Sequence, residues 1–368
     1  MSKAAELAKW GEVSTNGQVS GRRNIVINGA MNVAQRSASV TGIGAAAGYF
    51  TLDRWKINTG NSAGRLTMTQ TADGPVGFAN CLKLDCTTAD TSIAAGEYLE
   101  LQQIFEGQDL QSIGKGVAGA KEITLSFYVK ANAAFTFGVE LYDLDNTRQI
   151  TKLFNTTTGW VRHEFVIPAD VDDGSSPFGD DNAGSMQVTF LIHSGSDFTS
   201  GTLNTTAWAN AINTNRAAGI DSFFSSTDNN FFLTGVQMEV GSVATPFEHR
   251  SFAEELALCN RYYYFRGGGG AASILGNGGY YSGSQVESVI NFPTIMRVAP
   301  SLVQTSGTNY YVAESGAGGA DHLDDWLVHL STPYSVLIYN SSDASGTSGH
   351  YARIGSTSDG SIAFSSEL

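Results

Sequence analysis

The chain has 368 residues, of which 42% are hydrophobic and only 15% charged, with 42 glycines and 7 prolines. At roughly 100–200 residues per domain this argues for two or three domains with a sizeable core, which excludes a disordered chain. The glycines follow no period of three, which excludes a collagen-like rod, and a net charge of −14 excludes a basic nucleic-acid footprint.

The densest basic stretch is Arg22-Arg23. No run of about 18 apolar residues exists, so no membrane insertion through a helix is expected. Met1–Trp10 lacks the basic flank and apolar stretch of a signal peptide. The expectation is synthesis in a cytoplasm without secretion by that route. Cys81, Cys86 and Cys259 are an odd, sparse set that argues against a disulfide framework. Cys81 and Cys86 lie on one strand, facing opposite sides and roughly 16 Å apart at ~3.3 Å per residue. Buried thiols are expected.

Residues 1–23 read as an arm. Leu7 and Trp10 are three apart on a short helical stretch, and Gly11–Gly21 is polar and turn-rich. An arm that cannot bury its own apolar residues docks onto something else. Residues 24–250 carry β text. Leu125, Phe127 and Val129 alternate, as do Val161, His163, Phe165 and Ile167, then Met186, Val188, Phe190 and Ile192. A last strand carries Val236, Met238 and Val240, with Gln237 and Glu239 facing the other way. Shorter strands are expected at Asn24–Ile27, Trp55–Asn58, Leu66–Thr71, Tyr98–Ile104 and Thr136–Leu141. Many short strands with turn residues between them give a sandwich or barrel. Thr205–Ala218 breaks the pattern with helical composition, and Trp208 and Ile212 would share a face.

Residues 251–270 read as a short neck helix and a glycine linker. Ser251-Phe252-Ala253-Glu254 is a capping box. The helix is expected to run from Phe252 to about Phe265, with Phe252, Leu256, Cys259 and Tyr263 as a seam. That seam either packs on its own chain or lies at the axis of a homotrimer. Gly267–Gly270 would end the helix and open a hinge. Residues 271–368 form a smaller β domain, with strands expected at Val286–Phe292, Pro300–Gln304, Leu327–Leu330, Ser335–Tyr339 and Ser361–Ser365. The fold class is therefore all-β: a jelly-roll β-sandwich, then a short neck helix and a smaller C-terminal β domain.

Recognisable catalytic chemistry is sparse. Gly267–Gly270 has no following lysine and no βαβ setting, so no nucleotide loop is present. No His-x-x-x-His or Cys-x-x-Cys pair exists, so zinc is not expected. No Gly-x-Ser-x-Gly elbow can be argued either. The paired carboxylates, Asp143 with Asp145, Asp172 with Asp173, Asp180 with Asp181 and Asp324 with Asp325, read as solvated turns or as a calcium site of loop oxygens. Glycoside hydrolysis needs two carboxyls facing each other across a cleft, which adjacent aspartates do not supply. Adjacent aromatics on a strand face opposite sides. In the C-terminal domain Tyr280, Tyr281, Tyr310, Tyr311 and Trp326 therefore offer rings that either stack on a sugar or fill an interface.

Asn24-Ile25-Val26-Ile27-Asn28-Gly29-Ala30-Met31-Asn32-Val33-Ala34-Gln35-Arg36, with Asp53-Arg54-Trp55 after it, resembles the opening motif of a family of bacteriophage tail fibre or receptor-binding virion proteins. Leu233–Gly241 with Thr245-Pro246-Phe247-Glu248 is similar to that family's closing motif. Glu254–Tyr263 resembles the helix that follows, and Phe292–Pro300 a strand pair in the tail domain. The resemblance covers about 24–304 in pieces. It implies a jelly roll like a carbohydrate-binding module, a helix and a C-terminal β domain, in proteins that are usually trimers. The start Ser2–Leu7 is similar to virion-docking arms of that group. In similar modules calcium sits near the first and last strands, where this sequence offers Asn28, Asp53 and Glu239. The expectation is a non-enzymatic virion appendage that binds other virion proteins through residues 1–23, trimerises, and attaches to host surface polysaccharide. A structural decoration or adaptor protein without a glycan ligand, and a glycan-cleaving enzyme, are the alternatives.

Overall fold

The computed structural model describes residue 3 and residues 22–171, 176–316 and 319–368. Leu7 and Trp10 of the docking arm, and the pair Asp172 and Asp173, lie outside the described residues. The chain divides into two compact units, one ending at Glu255 and the other spanning Leu256–Glu367.

The strands of the first unit, in chain order, are β1 (Ser39–Ile43), β2 (Gly48–Tyr49), β3 (Lys56–Gly60), β4 (Arg65–Thr71), β5 (Cys81–Thr88), β6 (Tyr98–Glu106), β7 (Ile123–Ala131), β8 (Thr136–Asp143), β9 (Arg148–Asn155), β10 (Val161–Ile167), β11 (Gly184–Ser194), β12 (Ala209–Asn210) and β13 (Asn230–Val240). They form a six-stranded sheet, β1-β4-β5-β13-β7-β10, and a seven-stranded sheet, β12-β9-β8-β11-β6-β3-β2. Every pairing is antiparallel. The alternation seen in sequence sets the inner face: Leu125, Phe127 and Val129 are fully buried. Phe127 meets Phe154 and Phe190 edge-on at 5.1 and 5.0 Å, which joins the two sheets through one aromatic core. The last strand, β13, returns to the middle of the six-stranded sheet between β5 and β7, where Met238 O accepts from the N–H of Ile25 at the start of the unit.

The stretch that opens the β text is irregular where a strand at Asn24–Ile27 was expected, although Ile25 N–H still donates to Met238 O. Asn28 turns the chain with φ 57°, and its side chain bonds the N–H and C=O of Val33 and the C=O of Asp53. Buried Trp55 donates its indole N–H to Asn28 O. A Cβ on Gly29 would lie 2.1 Å from Val236 O, so only glycine lets the two ends approach this closely.

The expected helix at Thr205–Ala218 is replaced by the two-residue β12 and a 3₁₀ turn at Asn213–Asn215. Trp208 is buried while Ile212 is exposed, so the two do not share a face. The segment is recruited as an edge strand on β9, and tertiary pairing overrides its composition.

The short helix α1 (Ser196–Thr199) belongs to the first unit, and the unit boundary falls inside α2 (Phe252–Asn260). The capping box is formed: Ser251 Oγ accepts from Glu254 N–H, and Glu254 Oε2 accepts from Ser251 N–H and Oγ–H. The helix stops at Asn260, five residues short of its expected end. The aromatic run Tyr262–Phe265 then extends into a strand, β14 (Tyr263–Gly268), in the place of the glycine hinge. The seam does not hold as a helical stripe. Phe252 is exposed on the helix, Cys259 is buried, and Tyr263 is buried on β14, paired with Ser365.

The second unit continues with β15 (Ser273–Ser282), β16 (Gln285–Asn291), β17 (Ser301–Gln304), β18 (Tyr311–Ser315), β19 (Ala320–Leu323), β20 (Leu327–Ser331), β21 (Ser335–Asn340), β22 (Tyr351–Ser356) and β23 (Ser361–Ser365). A three-stranded sheet β14-β23-β17 accompanies a seven-stranded sheet β19-β18-β22-β15-β16-β21-β20. Their core includes Tyr311, Trp326, Ile338, Ile354 and Phe364.

Candidate functional site

The outer face of the second unit's seven-stranded sheet carries an open groove of about 490 Å³. On β15, Asn277, Gly279 and Tyr281 point outward while Tyr280 points into the core, as strand alternation requires. Gly279 sits in register between Tyr351 on β22 and Glu287 on β16. With no side chain of its own, Gly279 leaves the groove floor low between those two, and a Cβ there would crowd His350 O at 3.1 Å. Tyr281 and Tyr351 stand 73% and 56% exposed on this face. Tyr351 donates its hydroxyl to Asn277 Oδ1 at 2.7 Å, which holds the ring at the groove's edge. Glu287 Oε1 accepts from Gln285 Nε2 at 2.7 Å. Two amphipathic rings, an amide, a carboxylate and the nearby His350 therefore line one shallow surface.

This corrects the set of candidate glycan contacts. Tyr280, Tyr311 and Trp326 are core residues. Tyr311 donates its hydroxyl to Thr305 O and Ser361 O, both at 2.7 Å, and packs edge-on against Trp326. Tyr280 donates to Asp321 Oδ2 at 3.0 Å. Burial pushes both phenols up to about 12, so neither ionises near neutrality. Tyr310 is half-buried and does not line the groove. Tyr281 alone of the five is an exposed groove residue, and Tyr351 was missed in sequence because no second aromatic stands beside it.

The proposed calcium donors are already occupied. Asn28 is spent on the turn described above. Asp53 accepts from Gln35 N–H and Nε2–H, with Arg36 at 3.8 Å. Glu239 accepts from Gln237 Nε2, Thr245 N–H and Thr245 Oγ1–H. These side chains tie the ends of the first unit together through hydrogen bonds to protein donors.

Of the aspartate pairs, the one at Asp143 departs from a solvated turn. Asp143 is fully buried, not solvated. Lys115 Nζ lies 2.5 Å from Asp143 and 3.7 Å from Asp170, and Arg148 binds Asp170 with two 2.9 Å hydrogen bonds. Side-chain cations therefore face the Asp143 and Asp170 carboxylates. Asp181 caps its own loop through Ala183 N–H, and Asp324 accepts from Asn309 N–H.

Two further groups were not legible as neighbours in the sequence. Arg216 spans Glu140 and Glu100 on the seven-stranded sheet of the first unit, at 2.6 and 3.2 Å. Burial raises the Glu140 carboxyl against the opposing pull of that guanidinium. Asp90, Glu97 and His193 converge at the end of β11. Burial pushes the Glu97 carboxyl up and the His193 imidazole down to about 4. Burial also pushes the Asp90 carboxyl up, but its bonds from Ala63, Ser62 and Ser92 prevail and hold it low. All three cysteines are buried and unbridged, and burial raises the Cys81 and Cys86 thiols to about 11, which makes them inert.

No family model and no curated protein matches the chain. Among solved structures, it is similar to the enzymatically active domain of bacteriophage CBA120 tailspike protein 4, at 12% identity and TM-score 0.30 over 59% of this chain. That match spans about a fifth of the tailspike chain, 21%. TmCBM61 in complex with β-1,4-galactotriose is 9% identical, with TM-score 0.30 over 60% of this chain and 99% of that one. The CBM22-1 xylan-binding domain from Paenibacillus barcinonensis Xyn10C is 10% identical, with TM-score 0.27 over 61% and 100%. These likenesses are slight, and no ligand of those proteins is carried to this chain on their strength.

Proposed function

We propose that this chain is a non-enzymatic virion appendage protein that attaches its particle to host surface polysaccharide through the groove on its C-terminal unit. The observation that supports this reading is the pair of exposed tyrosines, Tyr281 and Tyr351, flanking the trough over Gly279. Rings at a polar edge give a sugar its apolar face and its hydroxyls their partners. The lining carries a single carboxylate, Glu287, where glycoside hydrolysis uses two. Weak single sites gain strength when several copies act together through effective concentration, which is the role given to a trimer. The resemblance of residues 24–304 to tail fibre proteins supports the virion setting, with residues 1–23 as the docking arm.

The test is binding of the full chain to purified host envelope polysaccharide, with Tyr281→Ala and Tyr351→Ala. Both residues are exposed, so each variant folds. Each is expected to weaken binding by roughly 3- to 10-fold, the worth of about 0.5–1.5 kcal/mol per ring contact. Undiminished binding in both variants removes the groove from the function, and release of reducing ends removes the non-enzymatic reading.

A second reading, a structural virion protein with no glycan ligand, is favoured by the apolar strip Leu327, Val328 and Leu330 on the edge strand β20, exposed beside Val289 of β16. It predicts no polysaccharide binding and a stable oligomer in solution.

A further inference from the structure

Asp90 lies in the loop after β5, Glu97 directly before β6, and His193 is the last residue but one of β11. The antiparallel pairing of β6 and β11 sets His193 opposite Leu99 and Ser194 opposite Tyr98, which brings Glu97 beside the imidazole. One ligand atom from each of the three residues lies within 4.8 Å of the other two. His193 Nε2 is 3.6 Å from Glu97 Oε2. All three residues are buried, with His193 at 0%, Glu97 at 5% and Asp90 at 6% exposure.

The surroundings orient these groups and satisfy Asp90, but leave one atom of Glu97 and one of His193 without a good hydrogen bond. His193 Nδ1 pairs with Ser222 Oγ at 2.8 Å, and the ring packs edge-on against Phe224, so Nε2 is aimed at the carboxylates. Asp90 is fixed by Ala63 N–H, Ser62 Oγ–H and Ser92 N–H. Glu97 Oε2 and His193 Nε2 make no hydrogen bond of good geometry, and Glu97 lies within proton-sharing reach of Asp90. A buried carboxylate oxygen and a buried imidazole nitrogen that converge without a good hydrogen bond are what a cation between them would satisfy.

We propose that Asp90, Glu97 and His193 Nε2 bind one divalent cation of the zinc class. Calcium does not fit, because it takes six to eight oxygens and an imidazole nitrogen is a poor donor to it. Zinc takes carboxylate oxygen and imidazole nitrogen together, and Ser222 supplies the outer contact that orients such a histidine. The ion clips the 89–97 loop to the end of β11 within the first unit. The sequence argued against zinc because its ligands are spread over 104 positions, from 90 to 193, and no short metal motif is present.

The test uses the untagged full chain, stripped with a chelator, dialysed against zinc and measured by elemental mass spectrometry. The expected result is one zinc per chain, a raised melting temperature on zinc addition, and no such rise with calcium. Cobalt(II) gives an independent readout, a visible absorption band from an ion in a low-symmetry nitrogen–oxygen site. Glu97→Gln and His193→Gln are each expected to weaken zinc binding at least about 10-fold, the lower end of what even outer-shell changes cost. Exposed Glu164→Gln leaves it unchanged. Wild-type protein that retains no zinc and gives no cobalt band overturns the site, as does equal retention by wild type and both glutamine variants. In the first case the carboxyls of Glu97 and Asp90 share a proton in place of the ion.

Discussion

Replacing Lys115 with methionine tests the claim that a side-chain cation holds the buried Asp143 carboxylate. The Lys115 side chain is 2% exposed, and Asp143 and Asp170 beside it are 0% and 4% exposed. At an effective dielectric of ~20, unit charges attract by about 7 kcal/mol at the 2.5 Å contact with Asp143 and about 4 kcal/mol at the 3.7 Å contact with Asp170. Desolvation of the ammonium offsets much of this, so the intact pair is worth far less than the sum. Breaking it is another matter, because Asp143 is left buried with only neutral donors, the N–H groups of Asp145 and Asn146 and the Asn146 amide. The expected loss for Lys115→Met is about 3–5 kcal/mol. For a unit of this size that lowers the melting temperature by on the order of 10 °C. Adding Asp143→Asn removes the stranded charge and is expected to restore at least half of the loss. The assay is thermal and urea unfolding of the full chain, read as a double-mutant cycle. A single-variant loss under about 1 kcal/mol, or a double variant no better than the single, refutes the reasoning.

Two further predictions concern single groups in the two cores. Tyr311→Phe strands the carbonyl of Thr305 in the second unit, while Ser361 O keeps the Thr305 N–H, and is expected to cost about 1–3 kcal/mol, measured by urea unfolding followed at the second unit's tryptophan, Trp326. His163 lies among Phe127, Phe154 and Phe165, and burial holds its pKa below the ordinary 6.5 against the opposing bond to Asn155 O. Its folded pKa is depressed, so its contribution to stability is complete above about 6.5 and is lost as pH falls below that. His163→Gln is therefore expected to show a shallower decline in stability on acidification than wild type, and parallel profiles would remove the imidazole as the cause.

Strand after strand was legible because period-two alternation is imposed by the pleat itself. Leu125, Phe127 and Val129 must share a face in any sheet, and the structure buries all three. The capping box at Ser251 was legible for a similar reason, since its partners are three residues apart. The helix it opens is shorter than the seam spacing through Tyr263 predicts, because pairing with Ser365, about a hundred residues on, makes that stretch a strand. The aromatic pairs gave the alternation of Tyr280 and Tyr281 but not which rings line a surface. Tyr311 and Trp326 look like candidate sugar platforms until the three-stranded sheet places Ser361 over the phenol.

The sequence by itself determined the class of fold, the position of the capped helix and the division into a larger and a smaller β region, since all three follow from interactions local along the chain. Tertiary structure alone decided which polar groups meet. Tyr351 across Gly279 from Glu287, and His193 beside Glu97, are joined by strand registers between distant segments, while Lys115 and Asp90 reach their partners from turns and loops. An antiparallel register fixes such neighbours to within one residue, and no local pattern in the chain encodes it.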